Sequence, residues 1–351
     1  MNEVWLKAPK VDRRFKADDR VVMAHGGGGR MMAELIRGVF GHHFNNSLLA
    51  QAHDVAVMPQ PAGRIVVSTD GHVISPMFFP GGDIGSLAVH GTLNDVAMGG
   101  AMPIALTAGF IIEEGFPLAD LDRIAESMGK AARDAGVRIA TGDTKVVERG
   151  KGDGVFITTT GIGVVPDHLD IGPHAVRSGM AVILSGTLGD HGVAIMSSRA
   201  GLEFGTSIVS DSAALHRMVA DVVDAAPGTA LLRDPTRGGL SSTMNELVEG
   251  RPYGVLLDEA SIPVKPEVAS ACELLGLDPL HIANEGKMIC ICPPEQASAA
   301  LAAMRRHPEG RDAALIGQVV SDKPGFVRMT TAIGGMRVVD WLSGEQLPRI
   351  C

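Results

Sequence analysis

"LADLDRIAESMGKAARDAGVRIATGD", residues Leu118 to Asp143, decides the fold class. Leu118, Leu121, Ile124, Ala125, Met128 and Ala132 recur at spacings of three and four, which puts them on one helical face. Gly136 is the natural C-cap of that helix. The β-rich "VRIATGD" then predicts a strand entering a loop, with Asp143 just past the strand. Outward on both sides the pattern repeats. "RIVVSTDG" (64–71) reads as a strand running into a turn, and "GVFITTTGIGVV" (154–165) as another strand. Strands alternating with helices from Val21 to Val165 predict a mixed α/β (α+β) fold.

A Pro-, Gly- and polar-rich stretch at 166–179, "PDHLDIGPHAVRSG", predicts a linker. The apolar strand "MAVILSG" restarts the pattern, so the expected organisation is an arm (1–20), a first domain (21–165), the linker, a second α/β domain (180–328) and a mobile tail (329–351). Cys290 and Cys292, two apart in "KMICICPP", face one side of a buried strand, and Cys272 reads as a helical core residue.

Composition excludes several functions. The net charge is -9 and no basic stripe stands out, which argues against nucleic acid. The N-terminus is charged and lacks the apolar core of a signal peptide. The longest uncharged run, Val96 to Ile112, is broken by glycines and Pro103 and is too short to span a membrane. Four scattered cysteines make no disulfide framework and fit a reducing cytoplasm. There the last residue, Cys351, stays a thiol, and its terminal position excludes prenylation.

Glycines and acids mark the chemistry. Gly26 to Gly29 lead into a helix, where converging N–H groups can cradle an anion or simply form a flexible loop. Asp70 ends a strand, Asp83 precedes a helix, Asn94 and Asp95 lie within it, and Asp143 follows a strand. Acids so placed can converge on Mg²⁺, and each alone can equally be a cap or turn residue. Three polar loops, "GTLGDHG" (186–192), "RDPTRGGL" (233–240) and "ANEGKM" (283–288), stand at element ends in the second half.

Taken together, "AHGGGGR", "STDGHVISPMFFPGGDIG", "GTLNDVAMGGAMPIALTAGFIIEEG", "TGDTKVVERG", "SGTLGDHG", "RDPTRGG", "ANEGKM" and the terminal "PRIC" resemble the HypE family of hydrogenase maturation proteins. The match runs from Val21 to Cys351 in the family's order. That family belongs with aminoimidazole ribonucleotide synthetase and selenophosphate synthetase. The resemblance implies two domains, a dimeric β-barrel-like core in the first, and ATP bound with Mg²⁺. It implies that Cys351 is carbamoylated by a carbamoyltransferase, HypF. The thiocarbamate is then dehydrated to a thiocyanate with ATP, and the cyano group passes to a HypC–HypD complex for the iron of [NiFe]-hydrogenase.

Carried over by motif, Gly26, Gly27, Gly28 and Gly29 cover the phosphates, and Asp70, Asn94, Gly142, Asp143 and Thr144 bind nucleotide. Asp70, Asp83, Asp95 and Asp143 are the implied metal ligands. Lys145 is assigned transition-state charge and Glu285 the role of base, supplied from the second domain. Two other readings stay open: a superfamily kinase or synthetase acting on a small molecule, and a non-catalytic assembly scaffold. Neither makes use of a carbamoylated terminus.

Overall fold

Leu118–Ala135 is the helix its apolar spacing demands, and all six of the face residues named above are buried. Asp120 in its first turn and Arg133 in its last complement the helix dipole. It ends in a left-handed Gly136 (φ +76°), whose N–H bonds back to Arg133 while that of Val137 bonds to Ala132. Only glycine takes that conformation without strain.

A computed structural model describes residues 15–16, 18–201, 208–342 and 349–351. Its helices are α1 (Arg30–Leu35), α2 (Gly41–His43), α3 (Ile84–Met98), α4 (Leu118–Ala135), α5 (Asp190–Ala200), α6 (His216–Ala225), α7 (Gly239–Val248), α8 (Pro266–Leu275) and α9 (Ala297–Met304). The strands are β1 (Arg64–His72), β2 (Phe78–Phe79), β3 (Gly82–Asp83), β4 (Met102–Glu113), β5 (Arg138–Val147), β6 (Val155–Val165), β7 (Ala181–Leu184), β8 (Leu231–Arg233), β9 (Gly254–Asp258), β10 (Ile289–Cys292), β11 (Ala314–Val320), β12 (Val327–Thr330) and β13 (Met336–Val338).

Packing divides the chain into two units. The first takes its described residues from 1–73, 83–92 and 103–164, and the second from 74–82, 93–102 and 165–351. The first holds a four-stranded sheet of order β1-β6-β4-β5, with β4 and β5 parallel. Its sheet is open, and no closed barrel forms among the described residues of one chain. Ile65, Val67 and Ile111 remain exposed on it. Of the expected arm, residues 1–14 and 17 lie outside the described residues, while Arg20 bridges Pro117 and the Val21 N–H bonds the Phe116 carbonyl.

The second unit is built on a seven-stranded sheet, β13-β12-β9-β11-β7-β10-β8, in which β12 runs parallel to β9. Every residue of β7 and β10 is buried, because both faces are covered. Val182, Leu184, Ile289 and Ile291 pack with Leu240, Met244, Leu247 and Val248 of α7. Alternate residues Ala181, Ile183, Cys290 and Cys292 pack instead with α6 and α9. The two strand cysteines are therefore core, as is Cys272 on α8.

The tail expected from residue 329 begins too early. β12 buries Val327 and Met329 against the core, and β13 pairs with it as an exposed edge strand. Alternation over so few residues is too short a signal to separate an edge strand from irregular chain. Residues 343–348 of that tail lie outside the described residues, while at its end Arg349 is exposed, Ile350 buried and Cys351 half-buried.

Candidate active site

In the first unit the glycine run meets the strand that follows α4. Met23–Gly26 forms a short 3₁₀ turn, and Gly29 precedes α1. A Cβ on Gly26 would stand 2.7 Å from the Val146 nitrogen, so a side chain there would push the loop off β5. Gly142 is equally confined, with a Cβ position 2.4 Å from the Ala108 carbonyl oxygen of β4. Asp143, Thr144 and Lys145 follow on the same strand. Lys145 Nζ lies 2.7 and 2.6 Å from the two Asp143 oxygens, and the Thr144 N–H donates to Asp143 Oδ1 at 2.9 Å. The lysine's hydrogen bond holds the Asp143 carboxyl below its ordinary value, against slight desolvation. The fold thus gathers Gly26, Gly142, Asp143, Thr144 and Lys145.

Asp143 does not follow its strand but lies inside it. β5 continues to Val147, pairing Asp143 with Gly109 and Lys145 with Ile111. Glycine and aspartate are poor strand formers, which hid this continuation. Asp70 likewise lies within β1, and its Oδ1 accepts the Gly71 N–H at 2.8 Å. β1 and β5 are opposite edges of the sheet. Three strand spacings of about 4.8 Å put them roughly 14 Å apart. Within one chain the two acids therefore stand on opposite edges of the sheet.

Asp83 caps α3. Its Oδ1 accepts the N–H groups of Gly85 at 2.7 Å and Ser86 at 3.1 Å, and the Ser86 hydroxyl accepts the Asp83 N–H at 3.1 Å. This reciprocal pairing is a capping box. Burial pushes its carboxyl pKa up, only partly offset by Ser127, Ser86, Gly85 and Arg123.

No group of three or more His, Cys, Asp or Glu side chains among the described residues could hold a metal by itself. The carboxylates present are single hard-oxygen donors. They suit an Mg²⁺ that takes most of its shell from water and phosphates, and they do not form a closed protein cage.

In the second unit Asn94 is buried, and its amide is committed to main chain. Oδ1 accepts the Leu215 N–H at 2.9 Å, and Nδ2 donates to the carbonyls of Ala213 at 3.0 Å and Glu285 at 3.2 Å. Its amide orders the loop that bears Glu285. The half-buried Asp95 follows it on α3.

Glu285 is buried at the head of "EGK", and Asp211 builds that turn. The Asp211 carboxylate accepts the Glu285 and Gly286 N–H groups, both at 3.1 Å, and Lys287 Nζ at 3.0 Å. Both side chains of this ion pair are under a tenth exposed. Burial would raise the Asp211 pKa, but Lys287, His191 and the N–H donors outweigh it and hold the carboxyl below its usual range.

The chain end is seated in this unit. Ile350 is buried and Cys351 half-buried. His191 Nε2 lies 2.7 Å from the Ile350 carbonyl oxygen. The Arg349 carbonyl accepts from an Arg199 guanidinium nitrogen at 3.0 Å and from the Ser75 N–H at 3.3 Å. Asp211, His191, Lys287, Arg199 and Ser75 carry this arrangement, and local sequence pattern gives none of them a role. The signal available was the acid in "SDSAALH" and the His and Lys of "GTLGDHG" and "ANEGKM".

With this geometry in view, the comparisons align. Residues 52–165 match the family described as AIR synthase related protein, N-terminal domain, and residues 177–330 its C-terminal domain. "Carbamoyl dehydratase HypE" of Rhizobium leguminosarum bv. viciae is 61% identical over 337 residues, 95% of this chain and 96% of that protein. A crystal structure of the hydrogenase maturation protein HypE in complex with ATP superposes with a TM-score of 0.91 at 48% identity, covering 94% of this chain and 99% of that one. The structure of a HypE–HypF complex superposes with a TM-score of 0.77 at 43% identity, covering 90% of this chain and 100% of that one. No helix among the described residues is long and apolar enough to cross a membrane. The chain belongs to the HypE family of AIR synthase-related proteins.

Proposed function

We propose that this chain is an ATP-dependent carbamoyl dehydratase of [NiFe]-hydrogenase maturation, with Cys351 as covalent carrier. One observation carries the reading: the terminal thiol is half-exposed at the end of a seated terminus, while Cys272, Cys290 and Cys292 are all buried core. The relative and the structures named above, with their carbamoyl dehydratase name, ATP complex and HypF complex, support the same substrate and partner.

The reaction takes Cys351–S–C(=O)–NH₂. Its oxygen is a poor leaving group until it takes the γ-phosphoryl group of ATP, which releases ADP and one nitrogen proton and leaves C=NH. Loss of phosphate and of the remaining nitrogen proton then leaves Cys351–S–C≡N. Lys145, exposed on β5 beside the glycine loop, is the candidate to balance phosphoryl charge. Glu285 is the candidate base for the nitrogen protons, its backbone fixed by Asp211 and Asn94. Asp70, Asp83, Asp95 and Asp143 are the candidates to hold Mg²⁺. When bound, the ion would neutralise phosphate charge.

A homodimer completes the reading. The open sheet exposes apolar Ile65, Val67 and Ile111 and ends in two edge strands. Two such sheets joined edge to edge set the β1 edge of one copy beside the β5 edge of the other, so the acids separated in one chain meet in two. HypC–HypD is the cyano acceptor, and the reducing cytoplasm keeps the carrier a thiol.

The test is intact mass after incubation with the carbamoyltransferase, carbamoyl phosphate and ATP. The expected result is a carbamoyl adduct that loses one water and is absent from Cys351→Ser. An adduct that persists unchanged with ATP present, or one that survives in the Ser variant, overturns the reading.

A further inference from the structure

The seat of the chain end grips its main chain. Two consecutive carbonyls, those of Arg349 and Ile350, are each held by hydrogen bonds from the second unit. Behind His191 stands a directed chain of donors. The Ser210 N–H is tied to the Pro80 carbonyl at 2.9 Å, and Ser210 Oγ accepts the Ser212 N–H at 3.1 Å. Ser210 Oγ lies 2.8 Å from His191 Nδ1. Because Nε2 faces a carbonyl oxygen, it must carry the ring hydrogen, so in the neutral ring Nδ1 is bare and accepts the Ser210 hydroxyl hydrogen. The imidazole is then the Nε2–H tautomer, and that hydrogen points at the Ile350 carbonyl, which can only accept. Phe79 meets the ring edge-on at 5.6 Å and closes its other side. The ring is fully buried, and burial holds it in the neutral form this tautomer requires.

We propose that His191, oriented by Ser210, is the positioning residue that seats the carrier terminus, with Arg199 and the Ser75 N–H as its second grip. The inference deepens the carrier reading, since seating matters because the terminus bears the substrate. It assigns His191 no contact with the reacting atoms. His191 acts by fixing the peptide next to Cys351, which restricts where the thiol can point. The recognised feature is two carbonyls at a fixed distance from a chain end, so the site accepts a terminus by position.

A carboxypeptidase tests the seat without ATP or partner, and so independently of the carrier chemistry. It removes Cys351 only from a terminus that has left its seat, and intact mass reports the loss of one cysteine. Removing one buried hydrogen bond should speed trimming about 5-fold. That is expected for His191→Leu, whereas Arg199→Ala, which removes solvent-exposed bonds, should speed trimming by a smaller factor. His191→Gln, whose amide N–H can replace Nε2–H, should trim within about twofold of the parent. In S-carbamoylated protein, single-turnover dehydration should fall in His191→Leu and recover in His191→Gln. Should His191→Leu fail to fold, Ser210→Ala takes its place, since it removes the hydroxyl that donates to Nδ1. Variants that melt like the parent and are trimmed at the parent rate overturn the proposal. Faster trimming with no adduct on Cys351 under the carbamoylation assay would leave the seat intact and sink the carrier reading.

Discussion

Replacing Asp83 by Asn separates a carboxylate kept for its charge from one kept as a cap. The capping geometry uses one oxygen, Oδ1, to accept two N–H groups. Asn retains that oxygen and ranks with Asp as an N-cap, so the cap survives the change. Ala loses it, at about 1 kcal/mol, or roughly 2–4 °C in a domain of this size. Charge enters with the opposite sign. Burial raises the Asp83 pKa, so the folded state holds its proton more tightly than the unfolded chain. Relative to Asn, the ionised Asp therefore costs stability, and the cost grows as pH rises from the unfolded value of about 3.9 through the folded one. At neutral pH Asp83→Asn should melt at or slightly above the parent temperature, and the difference should vanish below about pH 4. Mg-nucleotide affinity should nonetheless drop at least about tenfold, the equivalent of 1.4 kcal/mol for one lost ligand. Calorimetry for binding and a melting series across pH measure both. A melting point that falls in step with affinity, or affinity that does not move, refutes the argument.

Asp211→Asn strips a buried lysine of its counter-ion and should cost about 3–5 kcal/mol in denaturant unfolding, with much of it restored by Lys287→Met in the double variant. Because the folded Asp211 pKa lies below the unfolded one, its contribution is complete above about pH 4 and is lost as pH falls through the folded value; acid unfolding should therefore begin at higher pH in proteins weakened elsewhere in this turn. Lys145→Met should leave the melting temperature unchanged, as its ion pair is exposed, and lower single-turnover dehydration by about 10²–10³. Extending the chain by two or three residues beyond Cys351 should block dehydration by intact mass, whereas an N-terminal tag is tolerated; an undiminished rate in the extended protein would show that the seat does not depend on a free end.

What the sequence disclosed depended on range. The α4 face, its Gly136 cap and the buried Cys290–Cys292 strand rest on contacts within a few residues and on periodicity, and each stands where its residues put it. β5 ran past its expected end because its pairing with β4 overrides the weak strand preference of Gly142 and Asp143. Asn94 and Asp211 illustrate the other limit. Asn94 is spent on Glu285, 191 positions away, and Asp211 on Lys287, 76 positions away. His191 meets Ile350 across 159 positions. No local spacing encodes such partners, so loops that looked like caps became the frame of a site.

The grip on two carbonyls also sets a timescale. Three hydrogen bonds at about 1 kcal/mol each bias the terminus toward its seat by roughly 10²-fold, while Ile350 burial is largely offset by the entropy of ordering the last residues. Chain ends move in nanoseconds to microseconds, so departure takes on the order of a tenth of a microsecond to a tenth of a millisecond. Enzymes of ordinary speed turn over about ten times per second. The thiol would leave and return thousands of times in each cycle. Hand-over to a partner is then paced by the meeting of two proteins and never by the release of the arm, and no stroke of nucleotide energy is needed to set it free.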